Sequence, residues 1–264
     1  MKAAAFAWAP PGSLPDAIRL LQSDDARGLA GGQSLGPMLN LRAARPGAVV
    51  PLAALPELHG AEDAVDALTL GAATTHAAIA DGRTPDLVLG GQPVLARIAG
   101  GIAYRAVRTR GTIGGSLCHA DPAADWLVTL TALHAVVLTT ARAVPLDRFV
   151  TGPFRTVLQP GEIVRAIRIP RPAAGARWGY HKLCRKPGEF AHAMSACLLD
   201  APRPGAGHPI AARIVSRIVI GALGGPPAVL DGPDGAEAAV QFLDPVDRHL
   251  HMVAMRRALA AAGA

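Results

Sequence analysis

Two short glycine-rich segments constrain this chain more than any other part of its sequence. The first is AGGQSL at residues 30–35, and the second is TIGGSL at residues 112–117. Each places two adjacent glycines shortly before a serine. Glycine tolerates positive φ and lets a ligand approach the backbone amides without a Cβ in the way. Both segments are therefore candidate binding loops.

A pair of such loops suits one class of ligand. Consecutive backbone amides in a glycine turn form a concave site for an anion, and nearby hydroxyls add further donors. Two loops converging on one site would suit a diphosphate group, with one phosphate for each loop. The alternative for each loop taken singly is an ordinary structural turn. The established nucleotide motifs GxGxxG and GxxxxGK[ST] are absent from the sequence.

Composition excludes several other classes of protein. Half of the residues are hydrophobic and 17% are charged, which indicates a folded chain. The net charge is +6, but single scattered arginines and an aromatic content of 4% do not favour nucleic-acid binding. The longest apolar stretch, residues 126–137, is too short and too polar to span a membrane. Three widely spaced cysteines fit neither a disulfide framework nor a zinc site, and they favour a reducing cytoplasm.

Hydrophobic periodicity and turn residues predict an α+β chain with three domains. These are an N-terminal subdomain at 1–58, a second subdomain at 59–170 and a C-terminal domain at 171–264. Short strands and helices alternate in the first two, with strands predicted at 27–30, 48–52, 68–72, 135–140 and 162–169 and helices at 15–23, 76–81 and 93–103. The C-terminal domain is predicted to hold strands at 178–185, 192–200 and 213–223, a turn at 201–209, and helices at 234–242 and 245–262.

Two aspartates follow the second glycine segment. Asp121 and Pro122 predict the N-cap and first position of a helix that continues to about residue 134. Asp121 and Asp125 would then share one face of that helix. N-capping alone is enough to explain Asp121. Asp125, one turn into the helix, could accept hydrogen bonds from ribose hydroxyls, as acidic residues do in other dinucleotide sites.

Longer segments around the glycine motifs carry a family resemblance. AGGQSLGPMLNLR at residues 30–42 and IAYRAVRTRGTIGGSLCHADPAADW at residues 102–126 closely resemble the FAD-binding subunits of molybdenum hydroxylases. This family includes the carbon monoxide dehydrogenase medium subunits and the FAD domain of xanthine dehydrogenases. GAATTH at 71–76 and KLCRKPGEFAHA at 182–193 are similar too. The resemblance implies a two-subdomain FAD-binding fold of the vanillyl-alcohol-oxidase type, followed by a C-terminal domain with a three-stranded antiparallel sheet and helices.

The resemblance also implies roles for individual residues. The two glycine segments would hold the pyrophosphate, Asp125 would bind the ribose and adenine end, and Lys182 would lie near the pyrimidine edge of the flavin. A cation there stabilises the anionic reduced flavin. The alternative for Lys182 is a solvated strand residue. The candidate cofactor contacts are Ala30, Gly31, Gly32, Gln33, Ser34, Leu35, Ile102, Thr112, Ile113, Gly114, Gly115, Ser116, His119, Asp121, Asp125, Ile163 and Lys182.

Some positions depart from the family pattern. Cys118 stands where alanine is usual, which predicts a small packing residue, and Trp126 replaces an aliphatic residue. The hairpin at 136–146 looks shortened, which puts the oligomer contacts in doubt.

The partners implied by the resemblance carry the remaining cofactors. A large subunit would oxidise the substrate at a molybdenum cofactor, and a small subunit with two [2Fe–2S] clusters would pass electrons to the FAD in this chain. An external acceptor would then reoxidise the flavin, and the assembly would be a dimer of heterotrimers. No residue of this chain is expected to be catalytic or to bind a metal.

Besides a non-enzymatic nucleotide-binding module, whose bound flavin would not be bleached by electron donors, two alternative functions remain open at this point. The first is a stand-alone FAD-dependent oxidase of a small alcohol, although such enzymes add a larger substrate domain. The second is a serine hydrolase, because GQSLG at residues 32–36 satisfies GxSxG. Its context does not favour a nucleophile elbow, since too little chain precedes Ser34 to supply the strands and the oxyanion loop.

Overall fold

The computed structural model describes residues 2–200 and 215–263. Its first unit is a small parallel sheet with the strand order β1-β3-β2. The sheet packs with two short helices over apolar residues that include Ala17, Val50 and Leu55. The elements of this unit are β1 (Ala7–Trp8), α1 (Leu14–Leu20), β2 (Ala26–Leu29), α2 (Leu35–Asn40), β3 (Ala48–Pro51) and a 3₁₀ turn (Pro56–Leu58).

The second unit is built on a five-stranded antiparallel sheet with the order β4-β5-β12-β8-β9. Its helices cover the sheet, and the largest apolar core of the described chain lies between them. The elements are β4 (Ala61–Asp63), β5 (Ala67–Gly71), α3 (His76–Ala80), β6 (Val88–Leu89), β7 (Gln92–Pro93), α4 (Leu95–Gly100), α5 (Arg105–Arg108), α6 (Ile113–His119), α7 (Asp125–Ala132), β8 (Val136–Thr139), β9 (Ala143–Pro145), a 3₁₀ turn (Leu146–Arg148), β10 (Val150–Gly152), β11 (Arg155–Thr156) and β12 (Val164–Pro170).

The third unit is an antiparallel sheet with the order β13-β14-β15-β16, packed against a long terminal helix. The three predicted strands are present, and a short fourth strand extends the sheet at one edge. The elements are β13 (Arg177–Leu183), β14 (Ala193–Leu199), β15 (Val215–Gly221), β16 (Ala228–Leu230), a 3₁₀ turn (Pro233–Gly235), α8 (Ala236–Val240) and α9 (Pro245–Ala262). The predicted turn at 201–209 lies outside the described residues, and the domain boundaries near 58 and 170 stay predictions.

Local signals explain the ends of helix α9. Asp244 accepts hydrogen bonds from the backbone N–H groups of Val246 and Asp247, and Pro245 occupies the first helical position. Gly263 ends the helix with φ +77°. These bounds agree with the predicted helix at 245–262.

The predicted helix from Asp121 to about residue 134 is present as α7 at Asp125–Ala132, but its predicted start at Asp121 is wrong. An earlier helix precedes it, which Thr112 caps by accepting a hydrogen bond from the Gly115 N–H. That helix, α6, ends at Ala120, which has φ +52°. Asp121 then accepts the Ala123 N–H in a turn, and α7 begins at Asp125. Asp121 and Asp125 therefore do not share a helix face.

The elements near α4 also differ from the prediction at 93–103. Pro93 belongs to the short strand β7, and the helix covers only Leu95–Gly100. The carboxylate of Asp86 accepts hydrogen bonds from the backbone N–H groups of Leu95 and Ala96, both at 2.7 Å, and so caps the helix from a distant position.

None of the helices within residues 2–200 and 215–263 combines the length and apolar character needed to cross a bilayer.

Candidate cofactor site

A cavity of about 830 Å³ lies where the first and second units meet. This volume is within the usual range for sites that bind small molecules or cofactors. Both glycine segments line it, together with residues from α7 and from the loop between β13 and β14. The sequence-predicted residues that line the cavity are Ala30, Gly31, Gly32, Gln33, Ser34, Leu35, Ile102, Thr112, Gly114, Gly115, Ser116, His119, Asp125 and Ile163.

The two glycine segments touch each other. A Cβ atom at Gly31 would overlap the backbone carbonyl of Arg110, immediately before the second segment. A Cβ atom at Gly115 would lie 3.5 Å from the Cβ of Ala30. The segments that are far apart in sequence therefore form one continuous wall, and Gly31 is required by the close approach of two backbones.

The first segment has the features of an anion site. It connects β2 to α2, and Gly32 adopts φ +72°, which favours glycine. The N–H groups of Gly31, Gly32, Gln33 and Ser34 have no acceptor among the described residues. Four consecutive free donors on a cavity wall form the concave arrangement that binds phosphate oxygens.

The second segment differs from the expected anion loop. It forms the first turn of α6, and the amides of its three residues after Thr112 are already used within the protein. Ile113 donates to the carbonyl of Thr74 at 3.0 Å, and Gly114 donates to that of Ala72 at 3.0 Å. Gly115 donates to the hydroxyl of Thr112. A Cβ atom at Gly114 would lie 2.6 Å from that of Ala72, so this glycine is required by packing rather than by positive φ.

Asp125 and Lys182 form a buried ion pair at one end of the cavity. The Lys182 Nζ lies 2.8 Å from Oδ1 of Asp125, and the two side chains are 10% and 8% exposed. Lys182 also donates to the Gly101 carbonyl at 3.3 Å, and the Tyr180 hydroxyl donates to Asp125 Oδ1 at 2.7 Å. Burial, then the nearby Asp125 charge, raises the pKa of Tyr180 well above its ordinary value. Lys182 is thus not a solvated strand residue.

Three predicted residues lie outside the cavity wall. Ile113 is fully buried in the core, and Asp121 is engaged in the turn before α7. Lys182 reaches the cavity only through Asp125. The sequence predicted that Asp125 contacts the ribose and adenine end of the cofactor and that Lys182 contacts its flavin end. These two positions conflict, because the two side chains are in direct contact.

Several cavity residues were not predicted. Phe154 packs against His119 with ring centroids 5.1 Å apart, and Phe190 contributes an exposed aromatic ring from the loop after β13. Cys118 lines the cavity with an exposed surface, and burial of its thiol raises the pKa of that thiol to about 12, so its packing role stays a prediction. His76 also lines the cavity and is only 5% exposed. The histidine stands in the familiar GAATTH segment, which was the one signal available for it.

The family is identified by a match along most of the chain. Residues 4–172 match the family described as the FAD binding domain in molybdopterin dehydrogenase. The chain belongs to this family. It is a FAD-binding member of the molybdenum hydroxylases and an oxidoreductase subunit. Within the described chain, no histidine hydrogen-bonds Ser34, and the serine hydrolase alternative has no support.

Relatives within the molybdenum hydroxylase family match over most of their length. The chain is 33% identical to the 6-hydroxypseudooxynicotine dehydrogenase complex subunit alpha of Paenarthrobacter nicotinovorans, covering 93% of this chain and 87% of the relative. It is 36% identical to the carbon monoxide dehydrogenase medium chain of Hydrogenophaga pseudoflava, over 74% of this chain and 69% of the relative.

A solved structure of carbon monoxide dehydrogenase from Hydrogenophaga pseudoflava matches the whole fold. The TM-score is 0.86 at 30% identity, and the match covers 100% of this chain and 99% of the other. The quinoline 2-oxidoreductase of Pseudomonas putida 86 matches with a TM-score of 0.81 at 29% identity. The C-terminal unit, beyond the segment that defines the family, therefore has the same fold in these enzymes.

Proposed function

We propose that this chain is the electron-transferring FAD subunit of a molybdenum hydroxylase. It receives electrons from the [2Fe–2S] clusters of a small partner subunit and passes them to an external acceptor. The organic substrate is oxidised at a molybdenum cofactor in a large partner subunit. The observation that carries this proposal is the single cavity formed by both glycine segments, in a chain that matches a carbon monoxide dehydrogenase subunit from end to end.

The residues of the cavity fit the diphosphate of FAD. The four free amides of Gly31 to Ser34 bind its phosphate oxygens, and the Ser34 hydroxyl, which makes no helix-capping bond, adds a donor. The second segment closes the wall by packing against the first, and Ser116 contributes a hydroxyl from that side. This assignment gives the two segments different tasks in place of one phosphate each.

The Asp125–Lys182 pair fits the pyrimidine edge of the flavin ring. That edge alternates carbonyl acceptors with an N–H donor, and the Asp125 carboxylate offers an acceptor for that N–H, while Lys182 holds the carboxylate in place from outside the cavity. Oδ1 of Asp125 is held by Tyr180 and Lys182, which leaves Oδ2 to accept from the ligand. The pair lies next to Gly101, and the following residue, Ile102, lines the cavity. The ribose and adenine end then falls elsewhere in the cavity.

Electron transfer is the chemistry that the bound flavin supplies. This chain holds the flavin, keeps water from its buried edge and fixes the charges beside it. The surface around the cavity would accept the [2Fe–2S] subunit, and the complete assembly would be a dimer of heterotrimers in the cytoplasm. Relatives are described as medium chains or as a complex subunit, which supports a multi-subunit assembly.

Two measurements test this function. The purified chain is reconstituted with FAD or FMN, filtered and measured by absorbance, and it should retain FAD in preference to FMN. Aldehydes, purines and carbon monoxide are then assayed with and without large and small subunits from the same source. Turnover is expected only in the complex. Substrate-dependent bleaching of the flavin by the chain alone would instead indicate the stand-alone oxidase.

A further inference from the structure

His76 is a buried polar side chain on the wall of the cofactor cavity. It is the first residue of α3 and is 5% exposed. Its backbone N–H donates to the Gly111 carbonyl at 2.9 Å, which ties it to the start of the second glycine segment. A Cβ atom at Gly111 would lie 2.9 Å from Cδ2 and 3.0 Å from Nε2 of the His76 ring. The Nε2 edge of the ring therefore lies beside the wall that faces the cofactor.

Trp126 determines which nitrogen of His76 carries the proton. The indole Nε1–H of Trp126 lies 3.1 Å from Nδ1 of His76, and both rings are buried. An indole N–H can only donate, so Nδ1 must accept. The neutral imidazole then carries its single proton on Nε2. Trp126 is thus a positioning residue that fixes one tautomer.

The ring is held in its neutral form. Burial, followed by the positive charge of Arg108, lowers the pKa of His76 from 6.5 to about 4. A proton on Nδ1 would also oppose the Trp126 N–H. At neutral pH the Nε2–H is consequently a neutral hydrogen-bond donor, and none of the described residues accepts from it.

We propose that the Nε2–H of His76 binds the cofactor by donating a hydrogen bond to an acceptor oxygen on the side of the second glycine segment. The proposal rests on the proposed function, because it requires FAD in this cavity. The backbone amides of Ile113, Gly114 and Gly115 are used internally, so side chains such as His76 supply donors on this side beside the Thr112 N–H. The Nε2 atom is not itself fully buried, although the side chain is 5% exposed, so this donor is open to an acceptor in the cavity.

Two substitutions separate the donor from the packing of the ring. His76→Phe keeps an aromatic ring and removes the donor, whereas His76→Gln keeps an N–H at the position of Nε2. His76→Phe also removes the acceptor for the Trp126 N–H, whereas glutamine keeps an oxygen acceptor, so Trp126→Phe is the control that removes this bond alone. The dissociation constant of FAD is measured by flavin fluorescence on the full chain, alongside the melting temperature. His76→Phe should weaken FAD binding about tenfold, and His76→Gln should recover most of that loss.

Nitrogen NMR of the histidine-labelled full chain gives a readout that a purely structural role would not change. The His76 ring should show the Nε2–H tautomer, and its Nε2 resonance should shift when FAD is added. Trp126→Phe should populate both tautomers and weaken FAD binding by a smaller factor. Equal FAD affinity of the two His76 variants, with an unmoved Nε2 resonance, would overturn the proposal. Failure of the unsubstituted chain to bind FAD would instead overturn the proposed function.

Discussion

Replacing Lys182 with methionine should destabilise the protein by leaving Asp125 without its cation. The ion pair has an N–O distance of 2.8 Å, and its side chains are 10% and 8% exposed. Breaking a buried pair by removing one partner typically costs about 3–5 kcal/mol, because the other charge stays buried. The Tyr180 hydroxyl still donates to Asp125 in the variant. We therefore expect a loss of about 3 kcal/mol in the free energy of unfolding, at the lower end of that range.

Urea unfolding followed by circular dichroism measures this loss. Lys186→Met is the matched control, because Lys186 lies in the loop after β13 and is exposed. That control should change stability by less than about 0.5 kcal/mol.

A double substitution tests whether the pair itself is responsible. Asp125→Asn combined with Lys182→Met removes both charges and keeps an oxygen acceptor for Tyr180. It should recover about 2 kcal/mol of the loss seen in Lys182→Met. Additive effects of the two substitutions, or a Lys182→Met protein as stable as Lys186→Met, would refute the reasoning.

Two further predictions concern the cavity wall. Gly31→Ala should lower retained FAD at least tenfold, because its Cβ would overlap the Arg110 carbonyl. Gly36→Ala is the control, since a Cβ there has no neighbour within 4 Å, and it should retain FAD normally. Equal flavin content in both proteins would contradict the close packing of the two segments. The lowered pKa of His76, about 4 against 6.5 in the unfolded chain, means that the unfolded state takes up the proton first as pH falls. Stability of the flavin-free protein should therefore decline between about pH 6.5 and about pH 4, by about 3 kcal/mol from this residue. Urea titrations across that range should show a shallower decline in the free energy of unfolding for His76→Gln than for the unsubstituted protein. Parallel declines in the two proteins would show that protonation of His76 does not cause the loss.

Local sequence signals predicted most of the secondary structure. The terminal helix has its cap, its first-turn proline and its final glycine within its own sequence, and its bounds were predicted correctly. The three long strands of the C-terminal sheet were recognised from their apolar pattern, whereas the short strand β16 has only three residues and little pattern to read. The helix near Asp121 was misplaced because two residues, Thr112 and Asp121, both carry good capping side chains.

Contacts between distant residues account for what the sequence could not predict. The Asp86 carboxylate caps α4 from outside the helix, and no local pattern records that bond. The pairing of Asp125 with Lys182 joins α7 to β13, so spacing along the chain did not indicate that they lie together. The sequence did predict that both glycine segments would line one site. Their different use of backbone amides depends on acceptors such as Ala72 and Thr74, which only the fold brings close.

The contacts of β13 with Asp125 couple binding of the cofactor to packing of the C-terminal sheet. The family-defining segment ends at residue 172, before Tyr180 and Lys182, yet Asp125 within that segment is hydrogen-bonded and ion-paired by these two residues from beyond its end. With Asp125 in contact with the flavin, as proposed, anything that holds β13 in place adds to the apparent affinity for FAD, and bound FAD in turn strengthens the hold on β13. A protein seated on α9, which covers the outer face of this sheet, would thus change flavin retention without contacting the flavin.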